Sequence, residues 1–77
     1  MNAMGRAGQV LKQILDDYAI SQTDLADRMG IGRANIYRWM NEVRDPNSET
    51  LVSIIRALRQ IDPQAADDFK QRYMNGL

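Results

Sequence analysis

The stretch SQTDLADRMGIGRANIYRWMNE, residues 21–42, decides how this chain folds. Ser21 followed three residues later by Asp24 is a capping box, in which the serine oxygen accepts from a first-turn amide. Ile20 before the cap and Leu25 after it form a hydrophobic staple. The helix so started carries Leu25, Ala26 and Met29, then meets Gly30 directly after its last periodic residue. Glycine takes the left-handed backbone that ends a helix at little cost. Gly32 serves as N-cap of a second short helix over about Arg33–Asn41. Ile36, Trp39 and Met40 make its apolar face, which leaves Arg33, Ala34, Asn35, Tyr37 and Arg38 outward. Leu25 and Met29 are expected to face Ile36 and Trp39 across a turn plugged by Ile31, with Ala26 small where the helices approach.

Working outward, Val10, Ile14 and Tyr18 with Leu11 and Leu15 form one stripe, predicting a helix over about Gln9–Tyr18. Pro46 ends the loop after the quoted stretch, and Asn47 or Ser48 caps a helix running to about Gln60. Its inward residues are Leu51, Ile54, Ile55 and Leu58. Asp62-Pro63 is a cap followed by proline in the first turn, opening a last helix to about Met74 with Ala66, Phe69 and Tyr73 as its stripe. No β-branched run alternates with polar residues, so no strand is expected. The reading is an all-α domain of five helices over residues 9–77, with the two-helix motif at 22–41. Residues 1–8, MNAMGRAG, read as a loose tail in which Met4 is an alternative start. Arg6 is expected to be disordered with that tail; its alternative role is an arm to a polyanion.

Composition narrows the function. The chain has 77 residues, enough for one small domain, and lacks both cysteine and histidine. Disulfides, thiolate metal sites and the usual general base are therefore out of reach. Asp16-Asp17 and Asp67-Asp68 are adjacent pairs that diverge on a helix, and they read as solvated faces rather than catalytic dyads. An enzyme is not expected, nor is a metal or cofactor. No run is apolar and long enough for a signal peptide or a membrane span, so a cytoplasmic location and no membrane partner are expected. The net charge is zero. It is unevenly spread: Arg28, Arg33, Arg38 and Arg44 against Glu42 leave residues 28–44 basic, while both flanks are acidic. A basic face of this kind serves either solubility or a polyanion.

A capped helix, a glycine turn and a second short helix make a helix-turn-helix. The segment SQTDLADRMGI, together with Pro46, ETL at 49–51 and IIRAL at 54–58, resembles the phage repressor and Cro-like family of XRE type. The likeness covers about residues 9–60 and is weaker over the last helix. It implies a lambda-repressor-like fold that binds double-stranded DNA as a transcriptional regulator, with the second motif helix in the major groove. On this chain the implied base contacts are Arg33, Ala34, Tyr37 and Arg38. Arginine suits guanine and alanine a thymine methyl. Tyr37 has the alternative of a partly packed surface ring, and Arg33 and Arg38 that of solubilising charges. Gln22, Thr23, Asn41 and Arg44 are the implied phosphate contacts.

Arg28 is expected to pair with Asp24, and Trp39 to belong to the core. The family's polar pair between the first and third helices is replaced here by Leu15 and Met40, which should pack together. A single reading helix covers few base pairs. A homodimer through helix 63–74 is therefore expected, along the side carrying Phe69, Tyr73 and Leu77. The alternative is a protein-interaction or antitoxin-like module on the same fold with weak or no DNA binding.

Overall fold

The computed structural model describes residues 6–41 and 46–75. Among them are five helices: α1 (Arg6–Asp17), α2 (Gln22–Met29), α3 (Arg33–Asn41), α4 (Ser48–Ile61) and α5 (Pro63–Asn75). No strand occurs among the described residues, and no helix there is long and apolar enough to cross a membrane. The helices pack pairwise as α1 on α3 and α5, α2 on α3 and α4, and α4 on α5. The fully buried side chains Leu11, Ile14, Leu25, Ile36, Ile54, Leu58 and Phe69 meet from all five.

The local signals for α2 act as their residue types require. Ser21 is extended at φ −81°, ψ 151°, and its Oγ accepts from the Asp24 amide at 2.9 Å. Ile20 and Leu25, the staple, are both buried. Gly30 ends the helix at φ 71°, ψ 30°. The Gly30 amide donates to the Asp27 carbonyl at 3.2 Å and the Ile31 amide to Ala26 at 3.0 Å, the paired bonds of a Schellman ending. A Cβ at Gly30 would touch nothing, so glycine is needed there for its backbone angle and not for space. Asn47 is the cap of α4, accepting from the Thr50 amide at 2.8 Å. Asp62 Oδ1 accepts from the Gln64 amide at the start of α5 at 3.0 Å.

The expected tail of residues 1–8 needs correction over 6–8; residues 1–5 lie outside the described part. α1 begins at Arg6, and Ala7 and Gly8 are buried. Arg6 closes the far end of α5. Its Nε donates to the Tyr73 carbonyl at 2.9 Å and its Nη2 to the Arg72 carbonyl at 3.2 Å, while the guanidinium lies 6.0 Å from the Tyr73 ring centroid. Carbonyls in a last helical turn have no helical donor, and a cation there also suits the helix dipole. Gly8 is buried for a different reason. A Cβ built on it would overlap the carbonyl oxygen of Trp39, so α1 and α3 approach at backbone distance.

The carboxylates expected as solvated faces also have specific partners. The Tyr18 hydroxyl donates to Asp68 Oδ2 at 2.9 Å. Arg72 grips both Asp68 oxygens, each at 2.9 Å, and reaches Asp17 at 2.8 Å. Residues 68–73 of α5 thereby hold both ends of α1, at Arg6 and at Asp17. Phe69 is fully buried, and Tyr73 packs half-buried beside it with ring centroids 6.3 Å apart. The stripe expected to carry a dimer is thus used inside the domain, and Leu77 lies outside the described residues.

Leu15 and Met40, at the positions of the family's polar pair, are each buried, at 6% and 5% exposure.

Candidate nucleic-acid interface

α3 turns Ile36 and Met40 into the core and packs Trp39 half-buried against it. Arg38 is two residues from each of the first two, roughly 160° round the helix at 100° per residue, and so lies opposite the core. Arg33, Ala34, Tyr37 and Asn41 are exposed with it; Tyr37 is 58% exposed despite its apolar ring. Tyr37 is thus held outward beside Arg33 and Arg38, on a helix whose other side packs into the core.

Arg33, Ala34 and Tyr37 share an open groove of about 650 Å³ with Ser21, Gln22 and Thr23 at the start of α2. The Schellman turn at Gly30 brings α3 back so that its first turn lies beside the α2 N-terminus. Ser21 takes the Asp24 amide on its side chain and the Leu25 amide on its carbonyl at 3.2 Å. The earlier amides, of Gln22 and Thr23, precede the first helical acceptor and face outward from the helix end. Those amides, the Gln22 carboxamide, the Thr23 hydroxyl and the Arg33 guanidinium make a wall of hydrogen-bond donors. Arg33 is the one charged residue among those lining the groove. The lining offers donors and a positive charge and includes no carboxylate, an arrangement suited to anionic oxygens.

Five of the eight residues named from sequence therefore line one groove: Gln22, Thr23, Arg33, Ala34 and Tyr37. Arg38 and Asn41 lie further along the exposed side of α3. One Asn41 amide hydrogen is given to the Tyr37 carbonyl at 2.7 Å, securing the end of α3. Arg44 lies outside the described residues. Arg28 pairs with Asp24 at 3.5 Å, as its spacing predicts. Asn35, on the outward side of α3 by its spacing, has a specific partner there. Asn35 Oδ1 accepts from Arg38 Nη2 at 2.6 Å, a contact whose only sequence trace is the three-residue spacing. Among the described residues no cluster of acidic side chains could hold a metal ion.

A five-helix domain with this turn and this exposed second helix defines a helix-turn-helix protein. The helix-turn-helix family model matches residues 11–65, most of the chain. The chain belongs to that family, of XRE type, whose members are DNA-binding transcriptional regulators. It is also similar to a protein of Methanobrevibacter smithii whose name assigns it, provisionally, to the HTH-type transcriptional regulatory proteins. The two are 42% identical over 43 residues, 56% of this chain and 14% of that protein. The chain thus spans about a seventh of the length of that relative. No solved structure matches the chain.

Proposed function

We propose that this chain recognises specific sites in double-stranded DNA and regulates transcription, with α3 lying in the major groove. The observation that carries the reading is the single groove shared by Arg33, Ala34 and Tyr37 of α3 and by Gln22 and Thr23 at the start of α2. A helix seated in the major groove presents its first turn to base edges while the preceding helix meets the backbone. Arg33 and Arg38 bond guanine, Ala34 and Tyr37 contact neighbouring bases, and Gln22, Thr23, Asn41 and Arg44 hold phosphates. Net charge near zero keeps the sequence-independent attraction small, so the local basic segment and the base contacts must supply the affinity.

One reading helix favours a homodimer on a palindromic site with half-sites roughly 34 Å apart. α5 remains the proposed dimer element. With Phe69 in the core, its contact face is the outer one carrying Lys70, Gln71 and the 60%-exposed Met74. Sedimentation at micromolar concentration tests this: a monomer that binds DNA without cooperativity overturns it.

The main test is selection of bound sequences from a random duplex pool, followed by binding across a salt series. Arg33→Ala should relax preference at one position of each half-site and cost about 1–3 kcal/mol per contact. Arg44→Ala should weaken selected and scrambled duplexes alike and lower the salt slope by roughly one per protomer. Equal loss on both duplexes for Arg33→Ala removes it as a base reader. A wild-type chain with no affinity for any duplex leaves the protein-interaction module as the function of this fold.

A further inference from the structure

Arg38 lies opposite the core side of α3, yet its guanidinium is held. Its Nη2 donates to Asn35 Oδ1 at 2.6 Å, and Asn35 Nδ2 donates to the Gly32 carbonyl at 3.3 Å. Both ends of the Asn35 amide are thus engaged, one on the turn backbone and one on the arginine. Exchanging its oxygen and nitrogen would set donor against donor at Arg38 and acceptor against acceptor at Gly32, so the amide has one orientation. A line of hydrogen bonds therefore runs from the turn to the guanidinium. Of five guanidinium N–H groups one is spent on Asn35, and a parallel pair is left for the O6 and N7 of guanine.

We propose that Asn35 is a positioning residue that presets Arg38, and that Arg38 so held reads a guanine in each half-site. This rests on the DNA-binding function proposed above. Asn35 itself does not read adenine, because the bidentate contact that adenine needs would use the same amide atoms that hold Gly32 and Arg38.

The test uses the selected duplex and its single-pair substitutions, with binding measured as the ratio between them for each variant. Arg38→Ala should lower the preference for G·C at one pair of each half-site by about 5- to 150-fold. Asn35→Ala should lower the preference at that same pair by a smaller factor, and should add less than about twofold in the Arg38→Ala background. Asn35→Asp keeps the oxygen that accepts from Arg38 but loses the donor to Gly32. It should retain the preference, which a role confined to capping the turn would not allow. In the free protein, nitrogen relaxation at Arg38 Nε should report greater motion in Asn35→Ala and not in Asn35→Asp. The proposal is overturned if Asn35→Ala relaxes a different base pair, leaves the ratio at the Arg38 pair unchanged, or adds its full effect to Arg38→Ala; in each case DNA binding still stands. A wild-type chain that selects no sequence overturns the functional reading, and this proposal with it.

Discussion

Gly8→Ala is the substitution whose outcome most directly tests the packing of α1 on α3. An alanine Cβ there falls on the Trp39 carbonyl oxygen, 2.9 Å from the carbonyl carbon and 3.3 Å from Met40 Cα. These are backbone atoms of α3, so no rotamer change relieves the overlap, and the two helices must part. At an open helical position the same change stabilises by roughly 0.8–1 kcal/mol, because alanine is the better helix former. Overpacking at a site that cannot yield costs about 1–3 kcal/mol, occasionally more. Parting α1 from α3 also loosens Leu11, Ile14, Ile36 and Met40, all buried between or beside them.

The overlap outweighs the propensity gain, and the expected result is a net loss of about 1–3 kcal/mol. That is a large share of the roughly 4–12 kcal/mol typical of a chain of 77 residues. Urea unfolding followed by far-ultraviolet circular dichroism measures it. With a slope near about 1 kcal/mol per molar for so small a domain, the midpoint should fall by about 1–3 M at unchanged slope. A midpoint that rises by the propensity increment would falsify the close approach of α1 and α3.

Three further outcomes are expected. Ala19 closes α1 at φ 54°, with the Ile20 amide bonded to the Leu15 carbonyl at 2.9 Å, so Ala19→Gly should stabilise by about 0.5–1 kcal/mol; a destabilised variant in thermal unfolding would contradict the strained ending. Leu15→Ala removes a buried side chain and should cost about 2–5 kcal/mol, whereas a loss under about 0.5 kcal/mol would mean the site is not packed. The Arg72 guanidinium, and then the Tyr18 hydroxyl, hold the Asp68 carboxyl below its ordinary pKa. Stability from this carboxylate is therefore present above the ordinary aspartate value and is lost as pH falls through the folded one. The same hydrogen bond raises the Tyr18 pKa, so its contribution is present below the ordinary tyrosine value and lost as pH rises through the folded one. Urea midpoints measured against pH should fall less steeply on both flanks for Asp68→Asn; profiles parallel to wild type would rule the network out.

Much of this protein was determined by sequence alone, because its signals act within one helical turn. Ser21 caps the amide three residues on, Gly30 supplies a left-handed angle without reference to any neighbour, and the Ile36–Met40 face follows from helical period. The exposed set Arg33, Ala34, Tyr37 and Arg38 is the complement of that face, so the candidate reading surface was legible as well.

Tertiary structure decided what depends on residues far apart in the chain. Arg6 belongs to a helix because its donors meet carbonyls 66 and 67 residues away, and nothing in MNAMGRAG signals that. Gly8 lies where another helix's backbone needs the space, which a glycine in a stretch without clear periodicity cannot announce. Phe69 and Tyr73 have the same spacing whether a stripe faces a partner or the chain's own core. Only the packing of α1 and α4 against α5 assigned them inward, since burying apolar area within the fold is available to every molecule at any concentration.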